Sequence, residues 1–282
     1  MNITFCTCAT QHLLPFIKTP QGAYRLVTFN DGELYLRLDS DVNQQPVTVV
    51  AATPAPATHL LELWFLLDTL NQSNARIHLF FTYFGYARQD HPKPLVARSA
   101  RIISTILKQF AIERMTILHP HNEHLHEHLT FTPFIPYELY TPIAQELGIE
   151  VVLAPDRGAL AICQTLAKRI KCNWGHVNKV RPTLDAAKAL TLKADVKHKK
   201  VLIFDDIIST GNTIIQAAQL AQEHGAREIY ALVTHNVANE ATLNLLAQSP
   251  IKHLWVTNSL APRARTDQMS VINIAPTLTT PK

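Results

Sequence analysis

The stretch Lys200-Val-Leu-Ile-Phe-Asp-Asp-Ile-Ile-Ser-Thr-Gly-Asn-Thr213 decides how the rest of the chain is read. Its first five residues form a continuous run of the kind that a strand buried on both faces of a parallel sheet requires. The run ends in two carboxylates, Asp205 and Asp206, and turns into a segment whose spacing predicts a helix over 212–224. Ser209, Thr210, Gly211, Asn212 and Thr213 then place several backbone N–H groups and hydroxyls at the positive end of that helix, where a phosphate monoester fits. Asp205 and Asp206, one loop away, accept hydrogen bonds only, and suit the two vicinal hydroxyls of a ribose. Taken singly, each residue also has a plainer reading, with Asp206 ending a strand and Thr210 capping a helix.

The same rhythm extends outward in both directions. Strands are expected at 47–51, 76–84 and 114–118, separated by helices at 58–70 and 95–110, and a short extended piece at 131–135. After it come helix 138–147, strand 150–154, helix 158–170, strand 175–178, strand 200–204, helix 212–224, strand 228–233, helix 238–248 and strand 253–256. Alternation of this kind implies parallel sheets covered by helices, with ligand sites at the carboxyl ends of the strands. The His-rich, proline-bounded segment 120–136 marks a junction, dividing the chain into domains at 1–136 and 137–282.

Composition narrows the class of function. The 282 residues are 47% hydrophobic and 17% charged, with a formal charge of +4, so the chain is globular and too mildly basic for a dedicated nucleic-acid binder. Four cysteines without paired CxxC units read as reduced thiols of a cytoplasmic protein. The apolar run 60–67 is broken by Glu62, and neither a signal peptide nor a membrane span is expected.

Five further motifs occur in order: Phe29-Asn-Asp-Gly-Glu33, Tyr83-Phe-Gly-Tyr-Ala-Arg-Gln-Asp90, His121-Asn-Glu123, Ala154-Pro-Asp-Arg-Gly158 and Asn178-Lys-Val-Arg-Pro182. The loop at 205–213 resembles the ribose-5-phosphate signature shared by phosphoribosyltransferases and phosphoribosyl pyrophosphate (PRPP) synthases. Together with the five motifs it resembles the ribose-phosphate diphosphokinase (PRPP synthase) family over roughly residues 29–260, and its Ile-Ile-Ser-Thr-Gly wording is similar to archaeal-type members. The resemblance implies two similar phosphoribosyltransferase-like α/β domains, each a mostly parallel sheet flanked by helices.

It also implies an activity: transfer of pyrophosphoryl from Mg-ATP to the 1-hydroxyl of ribose 5-phosphate, giving PRPP and AMP. By family position Phe29, Asp31 and Glu33 bind the adenine end of ATP across a subunit interface, supplemented by Arg88, Gln89 and Asp90. His121 and Asp156 belong to the Mg2+ site, and Lys179, Arg181 and His121 are catalytic. A homo-oligomer built on a dimer is implied, with ATP and ribose 5-phosphate as partners. Plainer readings accompany these assignments: Asn30-Asp31-Gly32 is a turn signal, Arg88 and Asp90 can form a surface pair, and Lys179 with Arg181 can be an exposed basic strand end. His119, His124, His126 and His128 read as solvated loop residues, dense enough to capture zinc or nickel adventitiously.

The chain departs from the family pattern at several positions. Ser209 and His119 stand where aspartates are common, Asn212 where a glycine is, and Val180 where an arginine separates the two cations. The segment after Asp90 is short, and the chain ends in a tail rich in proline and threonine. A non-catalytic, synthase-like regulatory subunit is the second reading and a phosphoribosyltransferase the third. Lys179, Arg181, His121 and both aspartates speak against the former, and the lack of a nucleobase-binding hood against the latter.

Overall fold

The computed structural model describes residues 2–89, 94–121, 123–180, 189–262 and 264–278, with the backbone alone for Glu123, Lys179, Val180 and Ala189. They fall into two compact α/β units. The first comprises the chain up to Ile135 with Ser259–Ala261 and the described residues from Ile274 onward; the second comprises Pro136–Asn258 and the described part of Pro262–Asn273. The last described residues thus belong with the first unit.

In the first unit β1 (Ile3–Cys6) runs into a 3-10 segment, Cys8–Phe16, followed by an antiparallel hairpin of β2 (Tyr24–Thr28) and β3 (Leu34–Leu38). Then come β4 (Pro46–Ala52), α1 (Thr58–Gln72), β5 (Arg76–Tyr83), α2 (Ser99–Leu107), β6 (Ile112–Leu118), a second 3-10 segment at Glu123–Glu127, and β7 (Thr132–Phe134). The sheet order is β1-β4-β5-β6-β7, parallel throughout. Alternate residues Val47, Val49 and Ala51 of β4, and Ile77, Leu79 and Phe81 of β5, meet Leu63, Leu66, Leu67 and Leu70 of α1 in one core cluster. Each of those leucines is fully buried and stabilises the unit by about 2 kcal/mol.

The second unit runs α3 (Tyr137–Glu146), β8 (Val151–Ala154), α4 (Leu160–Ile170), β9 (Asn173–Val180), β10 (Ala189–Lys193), β11 (Lys200–Ile208), α5 (Asn212–Glu223), β12 (Glu228–Asn236), α6 (Glu240–Ala247), β13 (Ile251–Thr257) and β14 (Met269–Ile272). One turn of helix, α7 (Ala275–Leu278), closes the described chain. The sheet order is β10-β9-β8-β11-β12-β13-β14, with only β10 antiparallel to its neighbour. β11 lies between β8 and β12, which is why Val201 to Phe204 are fully buried and its sequence shows no alternation.

The elements differ from expectation in three informative places. β11 does not stop at Phe204 but pairs with β12 through Ile208, so Asp205 and Asp206 sit on the strand itself. The helix expected over 95–110 is confined to Ser99–Leu107; Leu95 is left-handed (φ 60°) and fully exposed, which helical backbone does not permit. The hairpin β2–β3, together with β1, β10 and β14, was not expected from the sequence.

Candidate active site

Three adjacent parallel strands of the second unit, β9, β8 and β11, end at one edge of the sheet. β8 passes through Ala154 to Asp156; β9, in register with it at His176, continues to Lys179; β11 carries Asp205 and Asp206. The structure therefore brings the second-unit motifs to one sheet edge, as the rule for open α/β sheets leads one to expect. Arg181 and Asp90 lie outside the described residues.

The turn from β11 to α5 is made at Gly211, whose backbone is left-handed (φ 73°). A Cβ there would also come within 3.1 Å of Thr242 Cγ2 on α6, so glycine answers both a conformational and a packing demand. Gly211, not Thr210, occupies the cap position of α5, and no side chain caps the helix. The plainer reading of Thr210 as a cap is therefore incorrect. Asn212 is the first helical residue, and the glycine one position earlier makes the turn. Ser209, Thr210, Asn212 and Thr213 surround this helix start and are exposed or half-buried.

Asp205 is buried and Asp206 half-buried. The Asp206 N–H donates to Asp205 Oδ1 at 3.0 Å. Burial pushes the Asp205 carboxyl well above the usual carboxylate range, and the negative charges of Asp206 and then Asp156 push it further. Asp156 Oδ1 accepts the Gly158 N–H at 2.9 Å, which closes the turn into α4 and holds the carboxylate in place. On the inner side, the Cys163 thiol of α4 donates to the Phe204 carbonyl at 3.3 Å, tying the helix to the residue before Asp205. Cys163 was not singled out in the sequence, where a buried thiol has no pattern to mark it.

The first unit has a cleft of about 470 Å³ at the carboxyl ends of β4 and β5, lined by Thr53, Pro54, Ala55, Tyr83, Gly85, Tyr86, Arg88 and Gln89. Two of its lining segments approach each other closely. The Gly85 N–H donates to Thr53 Oγ1 at 2.8 Å, and a Cβ on Gly85 would stand 1.8 Å from the Thr53 carbonyl oxygen. Gln89 accepts a hydrogen bond from Ser99 Oγ at 2.8 Å.

Phe29, Asp31 and Glu33 lie elsewhere in the unit, on the tip of the β2–β3 hairpin. The tip is closed by the Gly32 N–H to the Phe29 carbonyl and by the Glu33 N–H to Asp31 Oδ1 at 3.1 Å. The turn chemistry is thus present, and Phe29, 50% exposed, contacts Tyr35, 47% exposed. Among the described residues the hairpin tip does not line the Arg88–Gln89 cleft.

His121 is exposed and follows β6. The neighbouring histidines are not uniformly solvated. His119 is buried and left-handed (φ 40°), His126 stacks on Phe131 at 3.9 Å, His124 pairs with Glu127, and His128 bonds Arg98. Among the described residues no group of three His, Cys, Asp or Glu side chains is placed to hold a metal ion, and none of the helices is long and apolar enough to cross a membrane.

Residues 8–111 match the model for the N-terminal domain of ribose phosphate pyrophosphokinase, and residues 141–244 match the phosphoribosyl transferase domain. The ribose-phosphate pyrophosphokinase of Caldanaerobacter subterraneus subsp. tengcongensis is 30% identical over 261 residues, covering 88% of this chain and 82% of the relative. This chain belongs to the ribose-phosphate pyrophosphokinase family. The Bacillus caldolyticus member is 31% identical, over 85% of this chain and 78% of its own length. The crystal structure of phosphoribosylpyrophosphate synthetase from Mycobacterium smegmatis superposes with a TM-score of 0.88 at 26% identity, covering 98% of this chain and 96% of that one. Both units therefore have the fold of a ribose-phosphate pyrophosphokinase, with the α/β architecture expected from the motifs.

Proposed function

We propose that this chain is a working ribose-phosphate pyrophosphokinase that transfers the pyrophosphoryl group of ATP to the 1-hydroxyl of ribose 5-phosphate, releasing AMP. The observation that carries this reading is the β11–α5 edge: two carboxylates on the strand, a left-handed glycine, and a helix start that no side chain caps. Backbone N–H groups of residues 210–213 suit the 5-phosphate, and Asp205 and Asp206 suit the sugar hydroxyls. Lys179, at the end of β9, and Arg181, close to it in sequence, stabilise charge on the transferring phosphates. The cleft bounded by Arg88 and Gln89, with Asp90 next to it in sequence and the hairpin residues Phe29, Asp31 and Glu33, serves the nucleotide, the hairpin acting on a neighbouring subunit of a homo-oligomer.

The donor set fits Mg2+. The ion is usually held by one or two carboxylates with water and substrate phosphates completing its shell, so a closed protein cage is not needed. Asp156 stands beside carboxyls whose mutual repulsion a cation relieves, and we assign it and His121 to the metal. When bound, Mg2+ neutralises phosphate charge. The chain's own groups orient the ribose hydroxyl for attack on the β-phosphorus, and the two cations meet the charge that develops.

The test is direct. Purified protein is incubated with ribose 5-phosphate, ATP and MgCl2, and the products are separated. AMP and PRPP in equal amounts are expected, each dependent on ribose 5-phosphate and abolished by EDTA. If both substrates bind but no AMP forms, the chain is a regulatory subunit of the same family.

A further inference from the structure

Glu62 interrupts an otherwise apolar face of α1, yet it is 1% exposed. It is held by three groups. The Tyr24 hydroxyl donates to Glu62 Oε1 at 2.6 Å, the Cys8 backbone N–H donates to the same oxygen at 2.8 Å, and His59 Nδ1 lies 3.8 Å from Oε2. Tyr24 and Cys8 are 38 and 54 residues away in sequence. The carboxylate therefore ties three separate pieces of the first unit together: the first strand of the β2–β3 hairpin, the 3-10 segment after β1, and α1.

A buried carboxylate is a costly way to fill space, since removing its charge from water must be offset by well-aligned donors, and an apolar side chain of similar volume serves packing at least as well. What it supplies is direction: only one placement of the hairpin brings the Tyr24 hydroxyl onto Glu62. Apolar contacts share in that placement but come from one side of the hairpin. Leu36 packs into the core, Tyr24, Leu26 and Leu38 lie partly against it, and Val27 and Leu34 are half-buried, while Arg25, Tyr35, Arg37 and the tip are exposed. The Tyr24 hydroxyl also approaches the Cys6 carbonyl at 3.2 Å, so the residue that opens β2 is registered against both α1 and β1. Burial, reinforced by the charge of Glu62, pushes the Tyr24 phenol up, so it stays a donor throughout the physiological range. Burial and a hydrogen bond to Glu62 push the Cys8 thiol up to about 12.

We propose that Tyr24 and Glu62 are positioning residues for nucleotide binding: their hydrogen bond fixes the base of the hairpin so that its tip presents Phe29, Asp31 and Glu33 at a defined angle. The proposal rests on the reading that the hairpin tip binds ATP. Neither Tyr24 nor Glu62 touches substrate. Their contribution lies in pre-organising a two-stranded ribbon, which on its own is marginally stable in water.

The experiment compares the full-length wild-type protein with Tyr24→Phe, Glu62→Gln and Phe29→Ala, measuring kcat, the KM for ATP, the KM for ribose 5-phosphate and amide exchange over residues 24–38. Tyr24→Phe removes one hydroxyl, and a rise of about threefold to tenfold in the KM for ATP is expected, as loss of a single hydrogen bond predicts. The kcat and the KM for ribose 5-phosphate should stay within about twofold. Exchange should quicken in the hairpin and not in β4–β6. Glu62→Gln keeps an acceptor for Tyr24 and Cys8 and should be the milder change. An unchanged KM for ATP in Tyr24→Phe, or a parallel rise for both substrates, overturns the proposal. Phe29→Ala separates the two ideas. If it leaves the KM for ATP untouched, the hairpin does not bind nucleotide and the proposal falls with that reading; if it raises the KM while Tyr24→Phe does not, the positioning role alone is wrong.

Discussion

The ends of β4 and β5 in the first unit and the end of β11 in the second each carry a proposed ligand site at the carboxyl edge of a parallel sheet, built by different means. At β11 the polar groups are concentrated on the chain that makes the turn: Asp205, Asp206 and the start of α5 lie within nine residues, and Asp156 reaches them from the neighbouring strand. At β5 the site is mostly shape, a cleft whose lining includes the contact of Gly85 with Thr53, with its charge supplied by Arg88. The proposed adenine contacts are a further 50-odd residues upstream, on a hairpin whose placement depends on a buried carboxylate. Phosphate and sugar hydroxyls are recognised by short polar arrays that a local sequence can encode. A flat base is recognised by surfaces that only tertiary structure assembles.

The largest expected effect concerns Lys179 and Arg181. If the second unit's edge is where charge develops during transfer, Lys179→Ala and Arg181→Ala should each lower kcat by about 10²-fold or more with the KM for ATP altered far less, because such a group acts on the transition state. Steady-state kinetics with both substrates varied checks this. Equal loss in kcat/KM through KM alone would place the cations in ground-state binding and erase the contrast with the first unit.

A smaller effect is expected for the carboxylates. Replacing Asp205 and Asp206 together with Ala removes at least two hydrogen bonds to the sugar, and the KM for ribose 5-phosphate should rise about 30-fold, at about 1 kcal/mol for each bond. The KM for ATP should be unaffected. Calorimetric titration with ribose 5-phosphate provides the check, and unchanged affinity removes the ribose assignment.

The two glycines sharpen the comparison further. Gly85→Ala forces a backbone contact apart in the lining of the cleft and should raise the KM for ATP about tenfold, while Gly211→Ala must hold a left-handed alanine, at a cost of about 1–2 kcal/mol. Its penalty should appear in the KM for ribose 5-phosphate and in a lower melting temperature. Crossed effects, with each glycine altering the other substrate, would show that the two sites are not divided as assigned.

How much of this was legible in the sequence follows the same line. The β11–α5 loop and the run of strands and helices could be read because each is contiguous and its chemistry is local, whereas the motifs at 154–158 and 178–182 were singled out only through the resemblance to the family. The carboxylates were misplaced by one element: the run ceases to be apolar at Asp205, while the pairing with β12 that carries the strand to Ile208 is a non-local fact. The Asn30-Asp31-Gly32 turn was read, but its flanking strands Tyr24–Thr28 and Leu34–Leu38 were not, although one face resting on α1 and one open face leave Leu34, Leu36 and Leu38 alternating with exposed Tyr35 and Arg37. Glu62 appeared only as a polar break in an apolar run. Its partners lie in segments that sequence spacing does not connect.

The smallest effect expected is a change in the slope of stability with pH, and it isolates the electrostatics of the β11 edge. Burial, Asp206 and Asp156 all raise the Asp205 pKa above its value in the unfolded chain, which is near 3.9. Between that value and the higher folded one, the native state holds a proton that the unfolded state has lost. The number of protons bound on unfolding then falls, and stability must decrease as pH rises. The contribution of Asp205 is therefore fully present below about pH 3.9 and is lost as pH rises through the folded pKa. Asp205→Asn keeps a carbonyl oxygen for the Asp206 N–H and cannot ionise, so its melting temperature should fall less between pH 4 and pH 8 than that of the wild type, and at pH 8 the variant should be the more stable protein although it binds ribose 5-phosphate less well. Melting curves of both proteins across that range, without metal or substrate, check this. If the two slopes are parallel, Asp205 titrates normally in the folded chain, and the crowded carboxylates that set this edge apart from the first unit's cleft are better solvated than their burial implies.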